Sequence, residues 1–140
     1  MRNFRFKKGF NAGKDYDFYK RLWSSIGEQG SLRQKNDSYD IIIDLKANYY
    51  VVIEKVLNSS KISVSLCYFY NYGYKNINIA DIKDIVIEVA YGISKVKKIL
   101  KYYKHLVDTF IKNGMNNRDN MLKVQKKDMK LCEERCKYEF

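Results

Sequence analysis

The sequence predicts an α+β fold in which a three-stranded antiparallel meander is covered by a long helix, in the order α-β-β-β-α-α. Three observations carry this prediction. Apolar and polar residues alternate between residues 39 and 71, the two-residue period of a half-buried strand. The links within that stretch, around Ala47–Asn48 and Asn58–Ser60, are too short for a crossover helix, so the strands must be antiparallel neighbours. From residue 79 to residue 113 the apolar spacing changes to three and four, one face of an amphipathic helix. A chain of 140 residues with 46% hydrophobic composition fits one domain over residues 1–140. Within it, residues 1–14 read as a basic flexible arm, 15–113 as the core and 115–140 as a C-terminal helix.

The arm holds five cations (Arg2, Arg5, Lys7, Lys8 and Lys14) and no carboxylate, with Phe4, Phe6 and Phe10 interleaved, a pattern expected to order on contact with a partner. Asp15 caps a first helix whose Phe18, Tyr19, Leu22, Trp23 and Ile26 recur at helical spacing, with Gly27 beyond its end. Strands follow over residues 39–46, 49–57 and 61–71. Their β-branched and aromatic residues include Ile41, Ile43, Val51, Ile53, Ile62, Val64, Leu66 and Tyr68. Asn78 and Asp81 resemble a capping box that opens the long helix. Its stripe runs through Ile82, Ile85, Val86, Val89, Ile93, Val96, Leu100, Tyr103, Val107, Phe110 and Ile111 and closes at Asn113–Gly114. A weaker helix over residues 117–138 carries Leu122, Met129, Cys132 and Cys136.

The charge balance points to an acidic partner. Lysine and arginine number 27 against 16 aspartates and glutamates, giving a net charge of +11. This favours nucleic acid or a nucleoprotein over an acidic-site enzyme substrate. The excess sits at the two ends of the chain, and residues 37–90 form a near-neutral scaffold. No apolar run reaches the roughly 20 residues needed to span a bilayer, and no apolar stretch follows the basic start, so a cytoplasmic protein without a membrane partner is expected. Three cysteines (Cys67, Cys132 and Cys136) fit reduced thiols. With His105 as the single histidine, a zinc site lacks ligands, and neither metal nor cofactor is expected.

Two constellations are candidates for function. Lys97, Lys98, Lys101, Lys104 and His105 lie away from the apolar stripe of the long helix, where they can meet phosphates or carboxylates; Ile87, Tyr91 and Tyr102 flank that polar face as aromatic and apolar anchors. The partner-binding set is therefore Arg2, Arg5, Lys7, Lys8, Lys14, Tyr91, Lys97, Lys98, Lys101, Tyr102 and Lys104. Separately, Asp40, Asp44 and Lys46 share one strand face, and Asp44-Leu45-Lys46 resembles the D/E-x-K element of restriction-endonuclease-like nucleases. That likeness implies carboxylates holding Mg²⁺ beside a lysine that stabilises the scissile phosphate, with Glu54 serving from the next strand. The aromatic run from Tyr68 to Tyr74 offers stacking surface for bases or, equally, packing surface for a helix.

The element order also resembles that of double-stranded RNA-binding domains, but Ala80-Asp81-Ile82-Lys83-Asp84 is acidic where those domains open their last helix with a phosphate clamp. In length, element order, basic arm and Lys/Asn/Ile/Tyr usage the chain is similar to small phage-encoded type II anti-CRISPR proteins. That resemblance implies a non-enzymatic inhibitor that blocks a guide, target or nuclease-domain surface of a Cas9 ribonucleoprotein. Two alternatives stand beside it: a sequence-independent DNA- or RNA-binding protein and a metal-dependent nuclease.

Overall fold

A computed structural model describes residues 13–26, 30–35, 38–56, 59–72, 75–88, 92–116, 121 and 126–136. The chain runs through helix α1 (Gly13–Ile26), strands β1 (Gly30–Lys35), β2 (Ser38–Asp44), β3 (Tyr49–Lys55), β4 (Lys61–Tyr72) and β5 (Lys75–Glu88), then helices α2 (Gly92–Lys112) and α3 (Lys126–Arg135). The five strands form one antiparallel sheet in sequence order. The three strands expected from the two-residue period stand as β2, β3 and β4, at the centre of a wider meander.

Register explains the core. Leu32, Ile41, Ile53, Val64 and Ile85 pair in succession across all five strands, so they form one apolar row on one face of the sheet. The rows beside it, Ile43–Val51–Leu66 and Tyr49–Tyr68, share that face and are buried. The helices cover it. Tyr19, Leu22 and Trp23 of α1 are buried against β1 and β2, and the Trp23 indole Nε1 donates to the Gly30 carbonyl at 2.7 Å. Gly30 is small for a reason: a Cβ there would stand 3.2 Å from Ile41 Cγ2 and 3.4 Å from Ile43 Cγ1. Helix α2 crosses β4 and β5, where the Tyr103 hydroxyl donates to the Val64 carbonyl at 2.6 Å. Helix α3 lies along α2 and is tied to β5 by an ion pair between Lys83 and Glu133 at 3.3 Å.

The turns follow their residues. Ala47 and Asn48 both take left-handed backbone (φ 54° and 67°), the geometry of a tight two-residue hairpin between β2 and β3. At the end of α2, Gly114 (φ 83°) lets the Met115 amide reach the Phe110 carbonyl and its own amide reach that of Ile111, each at 3.0 Å. This is the Schellman closure expected at Asn113–Gly114.

The long helix over 79–113 is corrected. Residues 75–88 form β5, and the helix begins at Gly92. Asn78 and Asp81 therefore cap nothing; both lie within a strand. Opposite Leu66 and Tyr68, β5 places Lys83 and Ile79, so Ala80, Asp81 and Ile82 bulge out of the ladder. The bulge shifts the phase of the alternation, and Ile82, Ile85 and Val86 then fall at the steps of three and four that mimic a helix. Strand β1 was not anticipated, because Leu32 is its sole large apolar residue. Of the C-terminal helix expected over 117–138, Lys126–Arg135 and Met121 are helical, and residues 117–120, 122–125 and 137–138 lie outside the described residues.

Candidate polyanion-binding face

Helix α2 divides cleanly. Val96, Leu100, Tyr103, Val107 and Phe110 of the stripe predicted by steps of three and four are buried, together with Ile99 and Leu106. On the other side Lys97, Lys98, Lys101, Lys104 and His105 are all exposed. At about 1.5 Å per residue, Lys97, Lys101 and Lys104 rise along roughly 10 Å of helix axis. A nucleic-acid strand presents about three phosphates over that length, at ~3.4 Å each.

The electrostatics of this face are one-sided. Helix α2 contains six lysines and a single carboxylate, Asp108, near its C-terminal end. Asp108 is engaged: its Oδ1 lies 3.3 Å from Lys46 Nζ in the β2–β3 turn. That pair is widely exposed, 76% for Lys46 and 50% for Asp108, so it orients two side chains more than it stabilises the fold. The buried side holds the helix still. The Tyr103 hydroxyl is fixed on β4, and the Tyr49 ring stacks on Phe110 at 5.8 Å while its hydroxyl donates to the Met115 carbonyl at 2.7 Å. Burial pushes the hydroxyl pKa of both tyrosines well above the ordinary value, with nearby Tyr68 adding to the shift at Tyr49 and Asp84 at Tyr103. Both remain neutral hydrogen-bond donors.

Other expected site residues fall elsewhere. Tyr102 is buried, 8% exposed, against α3, where burial first and Glu133 and Cys136 next raise its pKa; it is no exposed anchor. Ile87 belongs to β5 and is buried on the covered face, so it does not flank α2. Arg2, Arg5, Lys7, Lys8 and Tyr91 lie outside the described residues, and Lys14 is placed only as part of the first turn of α1. Tyr68 is core, edge-on to Tyr49 at 5.0 Å. The three cysteines are free thiols buried in the structure, with that of Cys132 pushed up by burial.

The D-x-K arrangement is taken apart. Asp40 stands directly opposite Glu54 on one sheet face, as that likeness required, and Asp44 is opposite Tyr50. Lys46, however, lies beyond the end of β2 and turns to Asp108 on the helix. It does not share a strand face with the carboxylates, because the chain leaves extended geometry at Leu45. Among the described residues no group of three His, Cys, Asp or Glu side chains stands close enough to share a metal ion.

A cleft opens where the lysine row ends. Asp44, Leu45 and Lys46 from the turn face Lys104, Val107 and Asp108 from α2 across about 510 Å³. Within the described residues no helix is long and apolar enough to cross a membrane. Compared with known proteins, the chain matches no family model, no curated protein and no solved structure.

Proposed function

We propose that this chain is a non-enzymatic binding protein that docks through the α2 lysine face on phosphates displayed by a host nucleoprotein nuclease, and inhibits that complex by covering the surface. One observation carries the reading: Lys97, Lys98, Lys101 and Lys104 stand exposed together on a helix whose other side is locked into the core. Lysines are strongly hydrated point charges, suited to tracking phosphates without a fixed geometry. A rigid helix presents them with little conformational cost on binding. The resemblance to type II anti-CRISPR proteins agrees with this reading and names a Cas9 ribonucleoprotein in the host cytoplasm as the partner to test.

Direct binding to free DNA or RNA is the second reading, because the same lysines serve it. One experiment separates the two. The protein is titrated into a guide-loaded nuclease while target cleavage is followed, and in parallel into labelled naked DNA and RNA at several salt concentrations. Inhibition of cleavage, relieved by the double substitution Lys97→Glu with Lys101→Glu, is the expected result. Salt-sensitive binding to naked nucleic acid without inhibition favours the second reading. Neither inhibition nor binding overturns both.

A further inference from the structure

The sheet face turned away from the helices is acidic and partly apolar, in a chain whose net charge is +11. Register places Asp40, Asp44, Glu54, Asp84 and Glu88 on it. The cations at register positions on this face, Arg33, Lys35 and Lys61, belong to the edge strand β1 or to a strand end. Among the carboxylates lie half-buried Ile42, Tyr50 and Val52 and the exposed Val86, at 46%. The Ser63 and Ser65 hydroxyls hold Asp84 in place by donating to its Oδ1 at 2.5 and 3.1 Å. The described helices all pack on the other face, yet Asp40 is only 1% exposed and Cys67, on this face, 2%. Aspartate is rarely buried so completely unless it is paired. Asp40 stands between the positions of Arg33 on β1 and Glu54 on β3, so one cation position serves two carboxylates.

We propose that this face is the docking surface for the chain's own basic segment, residues 1–12. The charges are complementary. Arg2, Arg5, Lys7 and Lys8 have no carboxylate among them, and Phe4, Phe6 and Phe10 supply rings to cover Ile42, Val52 and Val86. The point of departure fits as well. Helix α1 runs from the Tyr39 end of the β1–β2 hairpin, where the Tyr19 and Tyr39 rings lie 6.1 Å apart, to the Gly30 end, where Trp23 donates to the Gly30 carbonyl. Its first residue, Gly13, precedes Tyr19 by about 9 Å of helix axis, so the segment leaves from the end of the sheet that carries Asp40 and Glu54. Twelve extended residues span at most about 40 Å, whereas five strands at ~4.8 Å spacing are only about 19 Å across. The segment therefore reaches around the strand ends and over Asp40, Glu54 and Asp84. Of the stretches outside the described residues it is the longest and the most basic. Docked there, its cations stand on the side of the sheet away from α2 and do not extend the row from Lys97 to Lys104, so the docking is independent of what that row binds.

The first test uses the unaltered full chain. An equal mixture of light and heavy-isotope-labelled protein is treated with a carbodiimide, which joins amines to the carboxylates they touch, and the linked peptides are mapped by mass spectrometry. Links from Lys7 or Lys8 to Glu54 or Asp84 within one isotope class are expected. Links that mix the isotopes would place a second copy's segment on the face and overturn docking by the chain's own. Links to this face no more frequent than those to Asp108 and Glu134, exposed on the helices, overturn the docking altogether. The second measurement is the rate of trypsin cleavage after Arg5, Lys7 and Lys8. Glu54→Gln with Asp84→Asn removes two charges from the face but keeps an oxygen to accept from Ser63 and Ser65. The loss of two partly exposed ion pairs should speed cleavage about fivefold, with a melting temperature within about 2 °C of the parent. Asp108→Asn with Glu134→Gln removes the same charge from the helical side and should leave the rate as in the parent. Equal rates in all three proteins would overturn the docking, and equal acceleration by both pairs would assign the effect to net charge and overturn it too.

Discussion

Neutralising part of the α2 row should weaken binding by an amount that counterion release fixes in advance. The perturbation is Lys97→Gln with Lys101→Gln: both side chains are exposed, one turn apart, and remote from the last turn of the helix. Glutamine matches lysine closely in helix propensity, so the melting temperature should move by no more than about 2 °C. Four lysines that each meet one phosphate of a single strand give a slope of log K against log salt near −2.8, at about −0.7 per contact. With two removed, the slope should fall to about −1.4. Referred to 1 M salt, each contact contributes about 0.6 log units at ~0.15 M, so the double variant should bind about 14-fold more weakly, or ~1.6 kcal/mol. The assay is anisotropy of a labelled oligonucleotide over a salt series, with Lys61→Gln with Lys130→Gln as a control that removes the same charge from exposed positions outside α2. An equal loss in the control would show that net charge, not the α2 face, attracts the partner. An unchanged slope in the double variant would remove the lysine row from the binding surface altogether.

Three further outcomes test the fold that positions this face. Tyr103→Phe removes the hydroxyl that donates to Val64 at 2.6 Å and leaves a buried carbonyl short of a partner. A cost of about 1–2 kcal/mol is expected, read as a melting temperature lower by roughly 3–7 °C; no change would mean that the hydroxyl does not anchor α2. Gly30→Ala forces a Cβ to within 3.2 Å of Ile41, and this crowding, partly offset by the lower entropy of the unfolded chain, should destabilise by ~1 kcal/mol in chemical denaturation. A more stable variant would refute the close packing of Gly30 against Ile41 and Ile43. Alkaline pH should destabilise as well. The Tyr49 and Tyr103 pKa values are raised in the folded chain, so the unfolded chain loses those protons first. Their contribution is complete below about pH 10, the ordinary tyrosine value, and is lost as pH rises further. Denaturation midpoints at pH 8, 10 and 11 should show level stability and then a fall that is smaller in Tyr103→Phe; a level profile to pH 11 would contradict the burial of these hydroxyls.

What the sequence disclosed depended on whether local pattern and tertiary role agreed. Helix α1, the three central strands and the Asn113–Gly114 stop were readable, because the apolar spacing of Tyr19, Leu22 and Trp23, or of Ile41, Ile43, Val51 and Ile53, is also the pattern of burial. Strand β5 was not, because its bulge at Ala80–Ile82 breaks the alternation and brings Ile82, Ile85 and Val86 into step with α2. A signal was present all the same: Ile77, Ile79, Ile82, Ile85, Val86, Ile87 and Val89 are all β-branched, a density that favours extended chain. Gly92, read as helix interior, is the first helical residue and packs beside Phe18. At the candidate site the lysine face was legible, since exposure of Lys97, Lys98, Lys101 and Lys104 follows from the helical period alone. The burial of Tyr102 was not, because it depends on α3 returning to α2, a contact between segments some thirty residues apart. The cleft was hidden for the same reason: its walls, residues 44–46 and 104–108, are distant in sequence and are joined by the Lys46–Asp108 pair.

Withdrawal of Tyr102 into the core changes the kind of recognition the α2 face can perform. Tight protein interfaces concentrate their energy in buried aromatic and arginine anchors. With Tyr102 packed on α3, the described outer face of α2 offers lysines and His105 in their place. Lysine contacts to phosphate hold a partner in place and orient it but carry no sequence information. Affinity from this face alone should therefore be salt-sensitive and indifferent to base identity. Any discrimination must come from a neighbouring surface with an apolar floor and fixed hydrogen-bonding groups. Substitutions of these lysines should therefore move the salt slope while leaving any base preference unchanged.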